Sequence, residues 1–357
     1  MDRFVPTVGF VLGGLGVAAS LAPWTDAFAI AGAGNAPGLV AALLATVAFG
    51  ARRQGVEDRR LSLLGTLGDG GLALAATVAL LLPAVRGTAG PVGLGLPVAF
   101  VLGIVGVGVG VADWLRLDRE PFLERAGASL AALWIGVAGL LGGYLVAMAG
   151  LLVVRPDAVV LQQGLSTVLF SLGLGAVALG TLHTRGRGLA FLDVRVPDRR
   201  GWLYAIGGVI GMYVVLVGVG ALATALGLPS AQHSFVEAAR DTPVLLLVFV
   251  PLSWLVIGPS EEVLSRNVIQ KSLYGHFSRT SAVLVATAVF TVIHLPAYWT
   301  GGGAAVFATL LRLFAISLVL GAVYERTDNV VVAALVHGTY NAIQFALAYL
   351  AVTGGAA

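Results

Sequence analysis

Val244-Leu245-Leu246-Leu247-Val248-Phe249-Val250-Pro251-Leu252-Ser253-Trp254-Leu255-Val256-Ile257-Gly258-Pro259-Ser260-Glu261-Glu262-Val263-Leu264-Ser265-Arg266 is an apolar run that ends on two adjacent carboxylates. A helix crossing a bilayer needs about 20 mainly apolar residues. Comparable runs recur along the whole chain, about eleven in all, near 5–24, 36–51, 61–83, 93–115, 127–154, 158–182, 203–227, 242–258, 280–299, 304–324 and 331–351. None shows the two-residue alternation of a membrane β-strand. Backbone polar groups in lipid must be satisfied within the segment, so the runs predict an all-α, polytopic transmembrane helical bundle. Composition agrees: 58% of residues are hydrophobic and 11% charged, against roughly 25% charged in a soluble domain.

The loops orient the bundle. With the N-terminus in the cytoplasm, the Lys and Arg residues fall on the inner side, except Arg86, Arg155 and Arg240 outside and Arg312 within a helix. A multi-pass protein of the plasma membrane is expected, with the first run retained as a helix and not removed as a signal peptide. The net charge of +3 belongs to these loops, which predicts contact with lipid headgroups and no nucleic-acid partner. With no cysteine in the chain, disulfides, thiol catalysis and Cys-ligated metals are excluded.

The longest polar connection, His183 to Gly201, suggests two modules. Residues 1–200 would hold six helices of unassigned role, and 201–357 five helices carrying the chemistry. Gly103-Ile104-Val105-Gly106-Val107-Gly108-Val109-Gly110 superficially resembles a nucleotide fingerprint. It lies inside a spanning run without strand-turn-helix context, so helix packing is the expectation.

Ionisable groups at membrane depth are costly and tend to face a bundle interior for function. On a helix, Glu262 and Arg266 are i,i+4 partners with the acid on the N-terminal side. Glu261 points about 100° away and lacks that partner, as a general base would. His294 follows Phe290 by one turn, and His337 and Asn341 share a face of the last helix. One unpaired Glu, two His and an Asn can supply a base and oxyanion donors. His183, His233 and His276 are expected to be solvated loop residues.

These residues form three ordered motifs: Glu261-Glu262-Val263-Leu264-Ser265-Arg266, Phe290 to His294, and His337 to Asn341. Together they resemble the CPBP family of intramembrane proteases, which includes CAAX prenyl proteases and bacteriocin-processing or immunity-type relatives. Tyr324-Glu325-Arg326-Thr327-Asp328-Asn329 resembles that family's connecting turn. Ser265 and Asn267 stand where the family often has an aromatic residue and a glycine. The resemblance implies an endopeptidase acting on a membrane-anchored substrate such as a prenylated CAAX-like protein. Glu261 and His294 would activate water, His337 and Asn341 would hold the oxyanion, and Glu262, Arg266 and Phe290 would support them. No cofactor is expected; the zinc alternative would use Glu261, His294 and His337. Competing readings are a proteolytically silent scaffold or immunity protein, and a transporter or proton pathway motivated by Asp69 and Arg312. A Ser260 nucleophile would leave the Glu pair and Asn341 unexplained.

Overall fold

The computed structural model describes residues 2–24, 35–88, 90, 92–299 and 302–354. The protein is a multi-pass helical bundle. Its helices are α1 (Phe4–Leu21), α2 (Ala36–Arg53), α3 (Arg59–Val85), α4 (Gly95–Trp114), α5 (Arg119–Val154), α6 (Val159–Thr184), α7 (Arg199–Ala225), α8 (Ser234–Ala238), α9 (Val244–Leu273), α10 (Arg279–Ile293), α11 (Gly303–Thr327) and α12 (Val330–Gly354). Among the described residues, nine helices are long and apolar enough to cross a membrane. The remaining two expected spans are the 18-residue α2, which ends on Arg52 and Arg53, and the 15-residue α10. Leu145, Val214 and Leu255 are 60%, 65% and 70% exposed, as suits side chains whose solvent is lipid.

The chain folds as two compact units, residues 1–126 with 225–229, and residues 127–224 with 230–357. This division differs from the boundary expected near residue 200. The reason is packing: Ala132 and Ile135 of α5 and Leu174, Ala178 and Leu182 of α6 share one core with Leu264, Val268 and Ile269 of α9.

In the first unit α1 to α4 pack through small residues. A Cβ at Gly68 would lie 2.6 Å from the Ala45 amide nitrogen, and one at Gly103 2.6 Å from that of Ala73. The glycine-rich stretch of α4 is thus a backbone-to-backbone packing surface. Arg52 and Asp113 pair at 2.9 Å, buried beside Ser62.

In the second unit α9 departs from α-helical geometry twice, with wide π-type turns at Ser253–Ile257 and Val263–Gln270. Pro259 lacks the N–H that would bond the Leu255 carbonyl, and its ring crowds that turn, so the helix widens there. The extra residue per turn re-aims the side chains that follow, among them both carboxylates. α9 also meets α12 at backbone distance. A Cβ on Gly258 would lie 2.8 Å from the Ala334 carbonyl oxygen, and one on Gly338 2.7 Å from that of Ser253. That approach sets Glu261 and Glu262 against His337.

Candidate active site

Glu262 is fully buried and its two oxygens are both used. Oε2 accepts from Arg266 Nε at 3.1 Å, and Oε1 lies 2.9 Å from His337 Nδ1. Arg266 also donates to Ser317 at 2.7 Å and lies over the Phe290 ring, 5.0 Å from its centroid. The i,i+4 pair expected from spacing is present. The bond to His337 crosses between helices and is not visible in spacing. Because an ionised carboxylate only accepts, His337 donates through Nδ1, leaving Nε2 toward the cavity.

Glu261 has a different environment. Its Oε2 lies 3.4 Å from His294 Nε2 and 3.9 Å from His337 Nε2, with no direct hydrogen bond. Its side chain keeps 19% of its surface exposed, against none for Glu262. His294 caps the C-terminus of α10, its ring 4.2 Å from that of Phe290. His294 Nδ1 is 2.7 Å from the Phe290 carbonyl oxygen. A carbonyl can only accept, so Nδ1 carries the hydrogen and a neutral His294 turns the Nε2 lone pair toward Glu261.

Glu261, His294, His337 and Asn341 all line one cavity of about 560 Å³, so the four residues are brought together. Phe290 is the floor shared by both histidines, its centroid 6.1 Å from that of His337. A second cavity of about 310 Å³ meets the first at Glu261 and His294 and is walled by Leu140, Phe170, Leu174, Leu264 and Ile293.

His233 corrects the expectation of a solvated loop histidine: it is partly buried and lines both cavities. Its Nδ1 caps α8 by accepting the Phe235 N–H at 3.1 Å, and its ring meets Tyr298 edge-on at 5.1 Å. Burial, reinforced by His294, pushes its pKa down to about 4. A neutral His233 therefore carries its hydrogen on Nε2 and is a donor. Nothing local in Gln232-His233-Ser234 signals this, since the α8 segment folds back onto the site only in three dimensions.

Below the site, Asp193 accepts from Lys271 at 2.8 Å and from the Tyr324 hydroxyl at 2.7 Å. Asn329 donates to the Arg195 carbonyl at 2.9 Å, tying residues 193–195 to the turn before α12. Asp69 and Arg312, the two residues that motivate the transporter reading, have no ion pair among the described residues; Asp69 Oδ2 and Arg312 Nε also lack hydrogen-bond partners.

His294 and His337 both tie down Nδ1 and free Nε2, as metal ligands do. Among the described residues, however, no three His, Asp or Glu side chains converge closely enough to hold an ion. The reaction proposed below uses the side chains alone.

Residues 243–343 match the family described as type II CAAX prenyl endopeptidase, Rce1-like. That segment includes Glu261, Glu262, Arg266, Phe290, His294, His337 and Asn341. No curated protein and no solved structure gives a significant match to the chain.

Proposed function

We propose, for a chain whose residues 243–343 carry the type II CAAX prenyl endopeptidase, Rce1-like, family module, that it hydrolyses a peptide bond of a membrane-anchored, prenylated substrate by glutamate-dependent chemistry. The observation that carries the reading is Glu261 Oε2, 3.4 Å from His294 Nε2 and directly bonded to neither histidine. A water resting against both atoms from the cavity side can give one hydrogen to the carboxylate oxygen and one to the imidazole lone pair.

In the proposed reaction that water donates one hydrogen to Glu261 and one to His294, turning its lone pair on the substrate carbonyl. Glu261 takes the proton as the oxygen–carbon bond forms. The oxyanion that develops is met by Asn341 and by His337 Nε2. For His337 to donate there, both ring nitrogens must carry hydrogen, and Glu262 beneath Nδ1 is the counter-ion for that form. Preorganised donors of this kind contribute about 3–4 kcal/mol each to the barrier. Glu261 then returns its proton to the leaving amine, so the peptide bond breaks with no net change in the protein.

Glu262 and Arg266 hold His337 and the Phe290 floor in place. The apolar cavity walled by Leu140, Phe170 and Leu174 is suited to the substrate's isoprenyl chain. Under the same reading the arginine-rich loops leave the N-terminus in the cytoplasm and the protein in the cell membrane.

The test is proteolysis of a farnesylated peptide by the purified, detergent-solubilised full chain. Glu261→Gln, shown to be folded, is expected to lose at least a thousandfold in kcat. Cleavage by this variant at the parent rate would refute the assignment.

A further inference from the structure

Arg312 sits inside α11, about two and a half turns from its start, where an unpaired cation is costly. Its Nε is buried and has no hydrogen-bond partner. The ion pairs around this site run elsewhere, Arg266 to Glu262, Lys271 to Asp193 and Arg279 to Asp328. Yet Arg312 lines the 560 Å³ cavity that holds Glu261, His294, His337 and Asn341. Tyr298, on the same wall, lies within electrostatic range of both Glu261 and Arg312.

The two cavities meeting at Glu261 are chemically unlike. The smaller one exposes mostly apolar surface, although Gln163, Ser166, Thr167 and Ser171 also line it, and it contains no Lys or Arg; the larger adds Arg312, Asn341, Gln344 and the hydroxyls of Tyr298 and Tyr340. A substrate crossing Glu261 therefore has one end suited to hydrocarbon and the other to an anion. A guanidinium matches a carboxylate fork to fork, and burial strengthens the match.

We propose that Arg312 binds the free α-carboxylate of the substrate, so that the larger cavity takes the short C-terminal piece released by cleavage. The inference rests on the proteolytic reading and extends it. It makes Arg312 the residue that selects chain ends over internal peptide bonds, a positioning residue outside the hydrolytic step.

The test uses a fluorescein-labelled, farnesylated tetrapeptide in two forms, with a C-terminal acid or a C-terminal amide. Binding is followed by anisotropy on the Glu261→Gln full chain, where no turnover interferes, and cleavage on the parent. The acid is expected to bind about ten- to a hundredfold more tightly than the amide. Arg312→Gln should collapse that ratio toward one, and Arg312→Lys should restore part of it. Equal binding of acid and amide by the Glu261→Gln chain overturns the proposal without any need for an Arg312 variant. An Arg312→Gln change that weakens both forms equally overturns it too. If the parent cleaves neither peptide yet binding still discriminates through Arg312, the hydrolytic assignment fails and the carboxylate site stands.

Discussion

His337 Nδ1 stands 2.9 Å from Oε1 of Glu262, whose other oxygen takes Arg266 Nε at 3.1 Å. One buried carboxylate thus orients the His337 imidazole and neutralises the buried Arg266 guanidinium. Neither task can be removed without disturbing the other.

Glu262→Gln keeps an acceptor for His337 but leaves the Arg266 charge buried and uncompensated. Such a change costs about 3–5 kcal/mol. A marked fall in the thermal midpoint of the detergent-solubilised protein is expected. Adding Arg266→Met removes the stranded charge and should recover most of the midpoint. Activity should stay roughly 10²–10⁴-fold down in both, because His337 has lost its counter-ion. A double variant no more stable than the single one would show that the buried charge is not the cause.

The approach of α9 to α12 gives a steric prediction. Gly338→Ala would place a Cβ 2.7 Å from the Ser253 carbonyl oxygen and 3.1 Å from Trp254 Cα, backbone atoms that cannot swing aside. The helices must part, which overpacking changes of this kind make cost about 1–3 kcal/mol. Proteolysis should fall with it, since separation lengthens the Glu262–His337 bond. Gly218→Ala in α7 meets nothing within 4 Å and should be neutral or slightly stabilising by helix propensity. Equal behaviour of the two variants in a melting assay would contradict the account.

His233 supplies the pH dependence. Its folded-state pKa of about 4 lies below the ordinary histidine value of 6.5. Between those values the unfolded chain binds the extra proton, so this group's contribution is intact above about pH 6.5 and is lost as pH falls toward 4. Stability should therefore drop on acidification through that window. His233→Asn, which keeps a side-chain cap for α8, should flatten the drop. A melting curve equally pH-sensitive in this variant would remove His233 as the source.

Side-chain chemistry without a resident ion predicts resistance to chelators. Cleavage of a farnesylated peptide should persist within twofold after incubation with 1,10-phenanthroline and dialysis. Loss on chelation and return with zinc would move Glu261, His294 and His337 from base and donors to ligands.

Much of this was legible in the linear order because it depends on local periodicity. Apolar runs long enough to span lipid leave the backbone little choice but helix. The Glu262–Arg266 pair and the shared face of His337 and Asn341 follow from helical repeat. Glu261, His294, His337 and Asn341 were recognisable as a set because their motifs keep a fixed order and spacing.

What packing settled are the relations between elements distant in sequence. His337 takes Glu262 as its partner because Gly258 and Gly338 let two backbones touch, and small residues announce closeness without naming the neighbour. His233 joins the site because α8 folds back on it, which a polar loop does not reveal. Residues 127–184 side with the helix that carries Glu261 because Ala132, Leu174 and Leu182 bury against α9, although the polar linker after His183 suggested otherwise. Arg312 reads as one isolated charge in an apolar run until the fold sets it on the wall of the cavity that holds Glu261. Periodicity tells which side of a helix is special; only the free energy of packing helices together chooses what that side meets.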